Sequence, residues 1–150
     1  MKRLLILVCT VLFSRSVYAE TINLTCYSDL GGKKFASNFT IIAPTSRTKG
    51  KVYVDDKDLD SRTQSSIQEV TNVQVTPSTI SYEVHYKTAP EFANGKQYSA
   101  GSVDIFRNIS RVSGLSIQTT NTYGGMIGEA VGEGGKYSED QCEPRRANKF

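Results

Sequence analysis

An all-β domain, a small antiparallel barrel or sandwich with at most a short helix and one disulfide, is the fold the sequence predicts. Three observations carry it. Apolar and polar residues alternate with period two through most of the chain after position 20. β-Branched and aromatic residues fill these runs, and turn-forming residues separate them. Cys26 and Cys142 stand near the two ends of the region, and the last third holds a glycine-rich run but no long helical pattern.

The first strand is "TINLTCY", which sets Ile22, Leu24 and Cys26 on one face against Asn23 and Thr25 on the other. "NFTII" offers Phe39 and Ile41 as an inward pair, and "KVYVDD" offers Val52 and Val54. "SRTQSSIQEVTN" is the one stretch that could carry a helical turn or two. "NVQVTPSTISYEVHY" reads as a hairpin turning at Pro77–Ser78, with Ile80, Tyr82, Val84 and Tyr86 on one face. "SVDIFRNI" and "GLSIQTT" form a second hairpin, whose turn ends at Gly114, a residue free to take φ > 0. The polar link "TAPEFANGKQYSAG" lies between the hairpins.

The first 19 residues differ in character. Lys2 and Arg3 precede an apolar run over 4–13, and Val17 and Ala19 are the small residues of a cleavage site. This is a secretory signal peptide, 1–19, cleaved about Ala19–Glu20. Ten apolar residues are too few to span a bilayer core of ~30 Å, so no transmembrane segment is expected in the mature chain. Val8 before Cys9 is wrong for a lipobox. The short basic start suggests a bacterial export signal, hence a periplasmic or secreted protein. Residues 20–150 read as a single β domain, with a glycine-rich loop at 124–135 and a polar tail at 143–150.

Cleavage alters the charge. Lys2, Arg3 and Arg15 leave with the leader, so of 18 basic residues 15 remain, against 15 acidic. Nucleic-acid binding needs a basic face, and a neutral mature chain supplies none. Cys9 leaves too. In an oxidising compartment Cys26 and Cys142 then pair, and closing so long a loop stabilises by roughly 4–5 kcal/mol in the chain-entropy account.

No stretch marks a catalytic site, a cofactor or a metal. In "YGGMIGEAVGEGGKY", Ala130 stands where a phosphate loop needs glycine, and Tyr137 replaces the magnesium-binding hydroxyl. The bland reading is a mobile loop, with Met126 and Ile127 able to close over a ligand. Asp56, Asp58 and Asp60 open like a calcium loop, but Ser61 and Ile67 occupy its glycine and glutamate positions. His85 is alone, on a face expected to be exposed. Glu83 and Glu91 could serve glycosidic chemistry as a pair, though only their presence suggests it. There is no Trp. Tyr98, Tyr123 and Tyr137 are the tyrosines placed to meet a partner.

Longer stretches carry two resemblances. Ile109, Arg111, Ser113 and Gly114, then Cys142, then Lys149–Phe150 resemble a group of uncharacterised small secreted proteobacterial proteins. That resemblance implies a small, β-rich, singly bridged domain and no activity. "LTCYSDLGGKKF" with "ANGKQYSAGSVDIF" is similar to the periplasmic C-type lysozyme inhibitors. It implies a small barrel whose loop, here Asn94, Gly95 and Tyr98, enters a lysozyme cleft. The sequence thus reads as a secreted, non-catalytic binding module of unknown ligand in the bacterial envelope, with possible partner contacts at Asn94, Gly95, Tyr98, Tyr123, Met126 and Ile127. A lysozyme inhibitor, and an enzyme whose site no motif marks, stay open.

Overall fold

The structure is a computed structural model and describes residues 19–145. The proposed leader, up to its last residue, and the end of the proposed tail lie outside the described residues. Strands β1 (Thr21–Leu30), β2 (Lys33–Ile42), β3 (Lys51–Val54), β4 (Lys57–Asp58), β5 (Ser61–Arg62), β6 (Ser66–Val75) and β7 (Thr79–Thr88) make the first half. A small hairpin, β8 (Glu91–Ala93) and β9 (Lys96–Tyr98), leads into β10 (Gly101–Ser110) and β11 (Leu115–Gly124). Helix α1 (Gly125–Val131) and β12 (Gly134–Pro144) complete it.

Ten strands form one antiparallel sheet in the order β4-β3-β2-β1-β12-β11-β10-β7-β6-β5, curled into a nearly closed barrel. The expected all-β fold is therefore what the chain adopts. Local contacts draw the open edges together. The Asp60 carboxylate accepts the Val70 N–H at 2.7 Å, and Gln68 Nε2 donates to the Leu59 carbonyl at 2.8 Å. A bulge in β6, with Asn72 at φ 52°, shifts the register between Thr71 and Gln74. It lets Val70 and Val73 both enter the core, where a regular strand would put one of them outside.

The core keeps the expected alternation. Leu24, Phe39, Ile41, Val52, Ile80, Tyr82, Val84 and Ile109 are buried together. Cys26 and Cys142 stand directly opposite each other on β1 and β12 and are bridged. The residues of the first resemblance have structural work here. Arg111 donates to the Thr76 carbonyl at 2.8 Å and pairs with Glu20 at 2.7 Å. Gly114 has φ 75°, and a Cβ there would meet the Cys142 carbonyl oxygen at 2.1 Å, so only glycine fits under the bridge.

Three local expectations are corrected. The stretch 61–72 is not helical: it forms β5 and most of β6, because pairing with β7 along the core outweighs local preference. The glycine-rich stretch 124–135 is not a slack loop but α1 and the start of β12. Its glycines allow close approach: a Cβ on Gly125 would meet the Gly101 Cα at 2.7 Å. The tail is strand as far as Pro144, and the Arg145 N–H donates to the Asn23 carbonyl at 2.9 Å.

Candidate functional site

The site grows from one unusual strand. Register sets Ser116, Gln118, Thr120 and Thr122 of β11 beside Ile109, Arg107, Ile105 and Val103 of β10. These four polar residues face inward, and Ser116 and Thr122 are buried. The outward positions of β11 are Leu115, Ile117, Thr119, Asn121 and Tyr123. A strand with one face on a core normally reads apolar inside and polar outside. This one is reversed.

One of the inward polar residues, Gln118, has its partner on β10. Arg107 continues the inward series Val103, Ile105 and Ile109, and is only 8% exposed. A buried charge is tolerable only when paired and hydrogen-bonded. Gln118 Oε1 accepts from both Nε at 3.1 Å and Nη2 at 2.6 Å, while Asp140 of β12 accepts from Nη2 at 2.9 Å. The guanidinium lies 4.8 Å from the centre of the Phe39 ring. Burial pushes the Tyr82 hydroxyl up to about 12; Arg107 opposes that shift and Asp140 adds to it. Arg107 Nη1 and Ser116 Oγ find no partner among the described residues.

The outward face carries the exposed rings. Phe106 of β10, Thr119 of β11 and Tyr137 of β12 are successive cross-strand neighbours. Phe106 is 44% exposed, Tyr137 61% and Tyr123 52%. Two strand spacings place Phe106 and Tyr137 roughly 10 Å apart. The Tyr137 hydroxyl donates to Glu139, and on β1 the Tyr27 hydroxyl donates to Glu143 at 2.9 Å. These bonds raise both phenols above their usual range, with the nearby carboxylate charge and slight desolvation acting in the same direction. Each ring is exposed yet held in one orientation.

A polar cluster flanks the rings. His85 Nδ1 lies 2.8 Å from Asp104 Oδ1, and its Nε2 lies 3.1 Å from the Thr71 hydroxyl. Glu83, cross-strand from Phe106, accepts from Asn72 Nδ2 at 2.9 Å. His85 is thus half-exposed and tied at both nitrogens, where the sequence suggested a plain surface residue. Glu91 lies on β8, in a separate two-stranded sheet, while Glu83 lies on β7 of the large one.

The residues singled out by sequence scatter over the molecule. Asn94 and Gly95 form an exposed two-residue turn with φ 52° and 75°, the geometry that Asn-Gly favours. Tyr98 is a correction: it is 8% exposed, beneath Glu129 of α1, and not a presented phenol. Lys96 pairs with the same Glu129, which holds that carboxyl below and that ammonium above their usual ranges. Met126 and Ile127 line a cavity of about 270 Å³ with Ser65, Tyr86 and Glu91, on a formed helix and not a free lid. Tyr123 and Tyr137 do lie on the outward face. Phe106 is not among the residues singled out by sequence, although the phase of Val103, Ile105 and Ile109 puts it on the otherwise polar outward face of β10. Comparison with known proteins gives no match: no family model, no curated protein and no solved structure is significantly similar.

Proposed function

We propose that this chain is a secreted, non-catalytic binding module of the bacterial envelope that binds through the outward face of β10, β11 and β12. The leader-like residues 1–19 support export. The reversed pattern of β11 carries the binding reading, because it leaves Leu115 and Tyr123 exposed on the same face as Phe106 and Tyr137, and exposed apolar patches mark interaction sites. Rings pinned by carboxylates lose little side-chain freedom on binding. The test uses residues 20–150 from the periplasm, sedimented with isolated envelope material. The Phe106→Ser/Tyr137→Ser double variant should melt normally and stay in the supernatant. Unchanged sedimentation of that variant would reject this face.

A second reading, inhibition of a C-type lysozyme, draws on the exposed Asn94–Gly95 tip and on Phe92 beside it, which is 70% exposed. Dose-dependent loss of lysozyme turnover, abolished by Phe92→Ala, would favour it. No inhibition at micromolar protein would remove it.

A further inference from the structure

Resting on that reading of the face, we infer that its ligand is a neutral, extended glycan strand. The outward positions have a telling composition. On β10 these are Ser102, Asp104, Phe106, Asn108 and Ser110; on β11, Leu115, Ile117, Thr119, Asn121 and Tyr123; on β12, Gly135, Tyr137, Glu139, Gln141 and Glu143. None is Lys or Arg, and three are acidic. Anionic polymers meet like charge here, which excludes nucleic acid and polyuronates.

A pyranose chain fits what remains. Each sugar ring has a flat C–H face and an equatorial rim of hydroxyls. The C–H face stacks on an aromatic ring, whose π face is electron-rich. The hydroxyls bond to amides and carboxylates, and Asn108, Asn121, Gln141 and Asp104 lie among the rings. Phe106 and Tyr137 are two strand spacings apart, on the order of 10 Å, which is also the length of about two sugar units in an extended chain. Thr119 between them is small enough to leave the path flat. The tethers Tyr137–Glu139 and Tyr27–Glu143 hold the phenols in place before any ligand arrives. A protein partner would instead favour a dry apolar centre, and here Thr119 occupies the centre of the row.

The test is affinity electrophoresis and calorimetry on residues 20–150. The probes are N-acetylglucosamine tetramer, cellotetraose, hydroxyethyl cellulose and, as the anionic counterpart, carboxymethyl cellulose. At least one neutral probe should bind, and carboxymethyl cellulose should bind at least tenfold more weakly. Tyr137→Ala and Phe106→Ala should each weaken binding about tenfold, with melting unchanged. Phe92→Ala, on the separate small sheet, should bind as the parent does. Failure of every neutral probe at millimolar concentration overturns the inference, as does binding that survives both ring deletions. If envelope sedimentation depends on Phe106 and Tyr137 while the neutral probes fail, the glycan falls and the binding face stands. If neither binds, both fall. A concentration-dependent dimer abolished by the same variants makes the occupant a second copy, and also overturns the glycan.

Discussion

Strands β7 and β11 have the same length and flank the same strand, β10, yet they are built inside out relative to each other. β7 sends Ile80, Tyr82 and Val84 inward and Ser81, Glu83 and His85 outward. β11 sends Ser116, Gln118, Thr120 and Thr122 inward and leaves Leu115, Ile117 and Tyr123 outside. The difference teaches that a barrel wall need not be uniform. One buried arginine changes what its neighbour strand must offer. Arg107 needs acceptors, so the strand beside it supplies Gln118 and the next supplies Asp140. With the inward positions polar, the apolar residues of β11 lie on the outward face.

The contrast can be broken at its origin. Arg107→Met leaves Asp140 buried without its partner and should cost about 3–5 kcal/mol in urea unfolding. Arg107→Met with Asp140→Leu should recover most of that loss, since an ion pair replaced by apolar residues is often neutral. A double variant no more stable than the single one would mean that Arg107 acts by filling space and not by charge.

A matched pair sharpens it. Val84→Ser on β7 empties an apolar core position and buries a hydroxyl, so roughly 2–4 kcal/mol should be lost. Leu115→Ser on β11 removes a larger side chain from an exposed position and should stay within about 0.5 kcal/mol. Equal losses would show that the two strands are packed alike. A further effect is pH-dependent. Tyr82 titrates near 10.0 when free and at about 12 when folded. Between those values the folded state keeps a proton that the unfolded chain releases. The contribution is complete below pH 10 and declines as pH rises to about 12, by roughly 2–3 kcal/mol. Tyr82→Phe should flatten that decline in melts run from pH 9 to 12.

Much of this architecture was legible. Both long hairpins, their turns at Pro77–Ser78 and Gly114, and the inward faces of β1, β2 and β7 come from period two alone, and the long-range bridge comes from two cysteines in a chain read as exported. The site was less legible for a physical reason. "LSIQTTNTY" alternates, but alternation does not say which phase faces in; that follows from the pairing with β10, where Gln118 meets Arg107. Helix α1 was hidden because seven residues with two glycines have little helical preference of their own, and its packing on β10 and β11 is what supports it. Tyr98 looked like loop by composition, and only the position of Glu129 above it shows it covered.

The bridge between β1 and β12 also has a mechanical consequence. Cys26 and Cys142 are 116 positions apart in sequence, yet each lies close to an end of the described chain. A pull applied to the two ends passes from β1 through the sulfur–sulfur bond into the end of β12. The 115 residues between the cysteines form a closed loop outside that path. Under tension with the bridge intact, only the start of β1 ahead of Cys26 and the end of β12 after Cys142 are loaded, and extension of the loop between them has to wait for reduction of one covalent bond.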